Sequence, residues 1–361
     1  MHLCCICTAY VLSNAIQLVY LSNILYIPPR VYYEKGGIRM CTAITYQTKD
    51  HYFGRNLDLE HSFREAVTIT PRHYPFSFRK MGTTENHFAM IGMASVVDGC
   101  PLYYDATNEF GLSIAGLNFP GNAVYNPVQE NLDNISPFEL TPWLLGQCKS
   151  VKEARMLLAR LNLAAIPFSK ELPLSPLHFL LADKQESIVL EPMADGLKIH
   201  ENPFGILTNN PPFDFHIHNL SQYRNLTREE SENRFCDYDI PTFSRGMGAI
   251  GLPGDLSSAS RFVRAAFTKL NSVSGETEAE SIGQFFHILD AVAQTRGCAR
   301  VGNDFEITLY SSCCNTDKGI YYYTTYENRQ ITAISMMSEN LEGSKVISYP
   351  ILRTEQIRKG N

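Results

Sequence analysis

From residue 41 the chain alternates apolar and polar positions, then changes to a longer period, then returns to alternation. "CTAITYQTKDHYFGRNLDL", residues 41–59, predicts two short strands around a Thr48-Lys49-Asp50-His51 turn, with Phe53-Gly54 ending the second. "AVTITPR", "HFAMIGMASVV" and "PLYYDATNEFGLSIAGLN" read as further strands, the last a hairpin turning at Asn108-Glu109. In "SPFELTPWLLGQCKSVKEARMLLARLN" the apolar residues fall at helical spacing. Ser150 is a candidate N-cap there, and Glu153, three residues on, completes a capping box. "HFLLADKQESIVLEP" and "GLKIHEN" return to strand, while "LSSASRFVRAAFTKLNSV" and "ESIGQFFHILDAVAQ" are helices. "FEITLYSSCCNTDKGIYYYTTYENRQITAISM" closes as a strand pair or triplet. Strands, helices and strands in that order argue for sheets covered by helices. With no repeat and no low-complexity linker, one domain from Met40 onward (residues 40–361) is the economical reading.

Composition narrows the function. The chain has 361 residues, 44% hydrophobic and 19% charged, with net charge -6. That is enough for a large core, in one big domain or two ordinary ones. Mild acidity without a basic stripe argues against a nucleic-acid partner. Nineteen Tyr and 20 Phe beside one Trp lean toward β structure and leave apolar surface for a pocket. Of the ten cysteines, Cys4, Cys5 and Cys7 fall near the start. The rest are scattered from Cys41 to Cys314, odd in number and without a CxxC pair, which is neither a disulfide framework nor a zinc pattern. A reduced cytoplasm is the simplest home. His216 and His218 lack partners at ligand spacing and are expected as loop or strand histidines. No metal or organic cofactor is expected.

Residues 1–39 differ from the rest. Met1 to Pro29 contains no Lys, Arg, Asp or Glu, and "YVLSNAIQLVYLSNILYI" is apolar enough to suggest a signal peptide or membrane helix. No basic region precedes it and no A-x-A-like site follows. Ser13, Asn14, Gln17, Ser22 and Asn23 are costly in lipid. A third reading comes from the genetic code. Glu34-Lys35-Gly36-Gly37 can be encoded by a purine-rich, ribosome-binding stretch, with Ile38 and Arg39 as spacer before the codon of Met40. Residues 1–39 are then translated upstream DNA, and loss of Met40 leaves Cys41 at the N-terminus. Self-cleavage of a genuine propeptide is the rival expectation.

An N-terminal cysteine carries a thiol and an α-amine in one residue. The amine has an ordinary pKa near ~8, so a fraction is neutral and can take the thiol proton. Nucleophile and base come together, and no catalytic histidine is required. A buried, inert strand cysteine is the ordinary alternative.

"MCTAITYQTKDHYFGRNLD" resembles the start of the choloylglycine hydrolase family, the bile salt hydrolases and penicillin V acylases, which are N-terminal-nucleophile hydrolases. The resemblance continues through "YYDATNEFGLSIAGLNF", "LTNNPPFD" and "GLPGDLSSASRF", in order, across residues 40–361. It implies Cys41 as nucleophile, Arg55 as the cation beside the thiol, and Asp58 as the carboxylate that orients the α-amine. It implies Asn118 and Asn209 as holders of the oxyanion, Arg261 as a second active-site arginine, and Leu57 as a pocket side chain. Taken alone, each has a commoner fate: strand-end Arg, turn Asp, Asx-capping Asn, core Leu.

The implied reaction is hydrolysis of the amide in glycine- or taurine-conjugated bile acids. Asn118 favours that side of the family, since penicillin V acylases often carry Tyr there. Penicillin V or N-acyl-homoserine-lactone amidase activity is the alternative on the same fold. If residues 1–39 are retained, Cys41 has no free amine, and an inactive membrane-tethered binder of amphipathic acids is the alternative of another class. The resemblance further implies an α+β fold, a four-layer αββα sandwich, in a bacterial cytoplasmic homotetramer. No stable membrane association is expected once residues 1–39 are absent.

Overall fold

The computed structural model describes residues 40–361, so the expectations for residues 1–39 lie outside the described residues. The strands of the two main sheets, in chain order, are β1 (Cys41–Gln47), β2 (His51–Leu59), β3 (Ala66–Thr70), β4 (Met90–Val97), β5 (Cys100–Asn108), β6 (Ser113–Asn118), β7 (Leu177–Ala182), β8 (Ser187–Met193), β9 (Gly196–Glu201), β10 (Ile206–Leu207), β11 (Ile307–Asn315), β12 (Ile320–Thr325), β13 (Asn328–Ser335) and β14 (Ile347–Pro350). The helices are α1 (Leu140–Leu145), α2 (Val151–Leu158), α3 (Phe213–Leu220), α4 (Ser258–Asn271) and α5 (Glu278–Asp290).

A six-stranded sheet runs β10-β1-β2-β11-β12-β13, and an eight-stranded sheet runs β9-β8-β7-β6-β5-β4-β3-β14. Neighbouring strands are antiparallel throughout both. Helices α4 and α5 pack on the six-stranded sheet, and α1 packs on the eight-stranded one.

Strand periodicity explains the layering. Successive side chains point to opposite faces. In the eight-stranded sheet Ile91, Met93, Ala115, Leu117, Leu180 and Val189 join the core shared with β1, β2, α4 and α5. The alternate residues Met90, Ile114, Phe179, Leu181, Ile188 and Leu190 join a second core under Leu140, Leu144, Val151 and Leu158 of α1 and α2. Both faces are buried, which is why these strands read as apolar runs. Each large apolar side chain so buried contributes roughly 1.5–3 kcal/mol. The result is the expected α+β arrangement: helices, sheet, sheet, helices.

Several local expectations need correction. β2 does not end at Phe53-Gly54 but continues to Leu59. A Cβ on Gly54 would lie 2.0 Å from the Ser312 carbonyl oxygen, so the glycine permits close approach of β11 within the sheet. The hairpin turns later than expected: Asn108 ends β5, and its side-chain oxygen accepts the Phe110 and Leu112 N–H groups. Ser150 caps α2 by accepting from Glu153 N–H, but the Glu153 carboxylate accepts from Lys149 N–H at 2.7 Å, not from Ser150. His216 and His218 lie on helix α3, not on a loop or strand. The closing segment is a triplet, β11 to β13.

Candidate active site

The six-stranded sheet brings the expected residues together by register. β1 begins at Cys41, which pairs with Leu57 on β2. On its other side Ala43 pairs with Leu207 of β10. Continuing that register two residues past the end of β10 puts Asn209 beside Cys41. The Cys41 N–H donates to Asn209 Oδ1 at 2.7 Å. Asn209 Nδ2 donates to the backbone carbonyl of Asn118, at the end of β6, at 2.8 Å. One hydrogen of that amide is thus used, and the other remains.

Arg261 enters from the first turns of α4, whose N-cap is Ser257. It is fully buried. Its Nη1 donates to the Cys41 carbonyl and to Thr42 Oγ1 at 2.7 Å, and its Nη2 donates to Asn209 Oδ1 at 2.8 Å. Arg55, on β2 opposite Ala43, is also fully buried. Its Nη1 reaches across to the eight-stranded sheet, donating to the Tyr104 and Gly116 carbonyls at 2.9 and 2.6 Å. Its Nη2 is buried without a hydrogen-bond partner.

Asp58 lies one residue past Leu57, and its backbone N–H donates to the Met40 carbonyl at 3.2 Å. Thr308, paired with it on β11, donates its hydroxyl to Asp58 Oδ1 at 2.6 Å. Asp58 Oδ2 is buried with no hydrogen-bond partner. Leu57 is buried in the same apolar cluster as Cys41.

Electrostatics favour an uncharged thiol while Met40 is attached. Burial raises the Cys41 pKa above 9.0 and Asp58 adds to the rise, while Arg55, the Asp58 N–H and Arg261 oppose it. Burial raises Asp58 to about 6 against the pull of Arg261, Thr308 and Arg55. Glu306, which accepts the Met40 N–H, is raised to about 8 chiefly by burial. Burial disfavours the Arg55 cation, yet Cys41, Tyr310, Asp105 and Asp58 more than offset that and raise it.

Cys41, Asp58, Asn118, Asn209 and Arg261 are therefore joined directly or through one backbone group, with Arg55 alongside. Sequence reasoning missed Thr308, Glu306 and Ser258, whose Oγ accepts the Asn209 N–H at 2.8 Å. Ser258 lay in a quoted stretch read only as the start of a helix. Thr308 depends on a β2–β11 pairing between distant segments that no local pattern reveals. A cleft of about 730 Å³ lies at the far end of β1, lined by Tyr46, Lys49 and Lys269 among others, and none of the expected site residues lines it. Among the described residues no cluster of three or more His, Cys, Asp or Glu has the arrangement of a metal site.

Known proteins share both pattern and fold. The family described as linear amide C–N hydrolases, choloylglycine hydrolase family, matches residues 41–349. A bile salt hydrolase/transferase of Lactiplantibacillus plantarum is 57% identical over 318 residues, covering 88% of this chain and 98% of that protein. One from Clostridium perfringens is 39% identical over 331 residues, covering 89% and 100%. The solved structure of a variant conjugated bile acid hydrolase from Clostridium perfringens superposes with a TM-score of 0.83 at 37% identity, covering 89% of this chain and all of that one. A penicillin V acylase from Agrobacterium tumefaciens has the same fold, with a TM-score of 0.68 at 18% identity over 87% and 94% of the two chains. The chain belongs to the choloylglycine hydrolase family of linear amide C–N hydrolases.

Proposed function

We propose that the protein is a bile salt hydrolase, cleaving the amide of glycine- or taurine-conjugated bile acids with an N-terminal Cys41 as nucleophile. One observation carries the site assignment: the buried Asp58 Oδ2 beside Cys41 has no donor while Met40 is attached. An α-ammonium at Cys41 supplies that donor. The family match begins at residue 41, which supports the same N-terminus. The relatives named as bile salt hydrolases support the substrate.

In the proposed cycle Asp58 and Asn209 Oδ1 orient the amine, and the neutral amine accepts the Cys41 proton. Arg55 and Arg261 favour the thiolate. Sulfur attacks the amide carbon, and the carbonyl electron pair moves to oxygen. The remaining Asn209 Nδ2 hydrogen, with Asn118, stabilises the oxyanion. Collapse breaks the C–N bond, and the ammonium protonates the leaving nitrogen, releasing glycine or taurine. Water, deprotonated by the amine, attacks the thioester; the bile acid leaves and the proton returns to sulfur.

The bacterial cytoplasm is the proposed location. All seven described cysteines are free, which suits a reducing compartment. No described helix is long and apolar enough to cross a membrane. A homotetramer is proposed too: Phe235, Tyr238 and Phe243 are 90%, 81% and 87% exposed on one loop, an apolar surface suited to a second copy. Sedimentation equilibrium tests this, and a monomeric mass contradicts it.

The activity test is side-by-side turnover of taurocholate, glycocholate and penicillin V. Bile salt cleavage that vanishes in Cys41→Ala is expected. Preferential cleavage of penicillin V contradicts the substrate assignment.

A further inference from the structure

Asn209 stands on a short irregular segment, because β10 ends at Leu207. Its flanking carbonyls have no ladder partners, and buried carbonyls need donors. His178 Nε2 lies 2.9 Å from the Thr208 carbonyl oxygen. His216 Nε2 lies 2.9 Å from the Asn209 carbonyl oxygen. A carbonyl only accepts, so both Nε2 atoms carry hydrogen. The Asn209 N–H is itself held by Ser258 Oγ. Both peptide groups around the Asn209 Cα are pinned by side chains from outside its own segment.

The imidazoles are fixed in turn. His178, on β7, is fully buried and stacks on Phe119 with ring centroids 4.2 Å apart and planes 7° from parallel. Its Nδ1 lies 3.1 Å from Glu191 Oε1, which also accepts the Phe213 N–H at 2.9 Å. Burial alone would raise Glu191, but His178, His200 and the Phe213 N–H bring it down to about 2, so it is a carboxylate. His178 is thus held at both ring nitrogens, by Glu191 on one side and the Thr208 carbonyl on the other. His216 stacks on Phe262 of α4, with centroids 4.9 Å apart and planes 17° from parallel. Its Nδ1 is buried without a partner. Its one hydrogen bond is the bond to Asn209, and an otherwise unsatisfied buried imidazole calls for an explanation.

We propose that His178 and His216 are positioning residues for Asn209, each holding one of its flanking carbonyls so that its side chain stays aimed at the oxyanion. The inference rests on the reading of Asn209 as an oxyanion residue. Neither histidine touches Cys41 or substrate in this scheme; both act through the Asn209 backbone.

The test uses His178→Leu, His178→Gln, His216→Leu and His216→Gln in the full chain expressed from its own gene. Each is assayed for steady-state kinetics on taurocholate and glycocholate, and for amide exchange in residues 206–213. A loss of one oriented oxyanion donor costs on the order of 100-fold in kcat or more. That loss is expected in the Leu variants, with KM changed little and faster exchange at Asn209. Glutamine keeps an N–H donor near the Nε2 position, so much of kcat and the slow exchange should return. A folded Leu variant with unchanged kcat overturns the proposal. So does a kcat loss with unchanged exchange that Gln does not repair. If one Leu variant fails to fold, the other histidine's pair decides. If the unmodified protein cleaves no conjugated bile salt, the functional reading fails, while the exchange data still settle the positioning claim.

Discussion

Thr308 donates its hydroxyl to one oxygen of Asp58 at 2.6 Å and leaves the other oxygen buried and without a partner. A half-satisfied buried carboxylate is costly. Its pKa of about 6, against an ordinary 3.8, records that cost while Met40 blocks the amine. In the proposed enzyme an α-ammonium at Cys41 would complete the arrangement, and the strain would then belong to the chain that retains Met40.

Stability of the Met40-retaining chain should therefore fall as pH rises from about 4 to 7. A folded-state pKa above the unfolded one gives a contribution fully present below the unfolded value and lost as pH passes through the folded value. The shift of roughly two units corresponds to about 3 kcal/mol. Urea unfolding at pH 4.5 and 7 measures it. Asp58→Asn should weaken the dependence in the retained form, leaving the part due to Glu306, which burial raises to about 8, and should reduce kcat in the processed form by on the order of 100-fold or more. A pH-independent stability in the retained form contradicts this.

Asn209→Ala removes the acceptor shared by Cys41 N–H and Arg261, and the donor to Asn118. A fall in kcat of roughly 10²–10³, with a smaller change in KM, is expected from loss of an oxyanion donor. Comparing single-turnover acylation with steady-state rates shows whether the loss falls on the attack step.

Arg261 makes hydrogen bonds to Cys41, Thr42 and Asn209 from a fully buried position. Arg261→Ala leaves those acceptors unpaired and should destabilise the fold by roughly 3–5 kcal/mol. Arg261→Lys should not restore activity, since an ammonium cannot reproduce the forked geometry. Thermal unfolding and kcat of both variants check this.

Gly54→Ala places a methyl 2.0 Å from the Ser312 carbonyl oxygen, against backbone that cannot turn aside. Strands β2 and β11 would have to separate, at more than about 3 kcal/mol by the scale of severe overpacking. Because β2 also carries Arg55 and Asp58, any folded Gly54→Ala protein should lose activity. Soluble yield, unfolding midpoint and turnover give the answer.

The strands and helices were largely legible because both follow from local periodicity. Gly54 misled because a glycine in a strand marks either an end or a close approach, and only the partner strand tells which. Glu153 misled by one residue because a capping glutamate can reach Lys149 N–H as well as Ser150. The candidate site residues came from resemblance, not periodicity. Arg55 and Asp58 look like ordinary strand polar residues until β11 and the eight-stranded sheet are placed around them. Thr308, His178 and His216 carried no local signal, since their partners come from segments far along the chain.

The central claim is that Cys41 acts with its own free amine. Intact mass and N-terminal peptide mapping of the active enzyme, expressed from its native upstream DNA, test it most directly. The account requires a chain beginning at Cys41 whose N-terminal peptide gains the bile acyl mass when the reaction is quenched during turnover. Full activity in a chain that retains Met40 or anything before it would contradict the account.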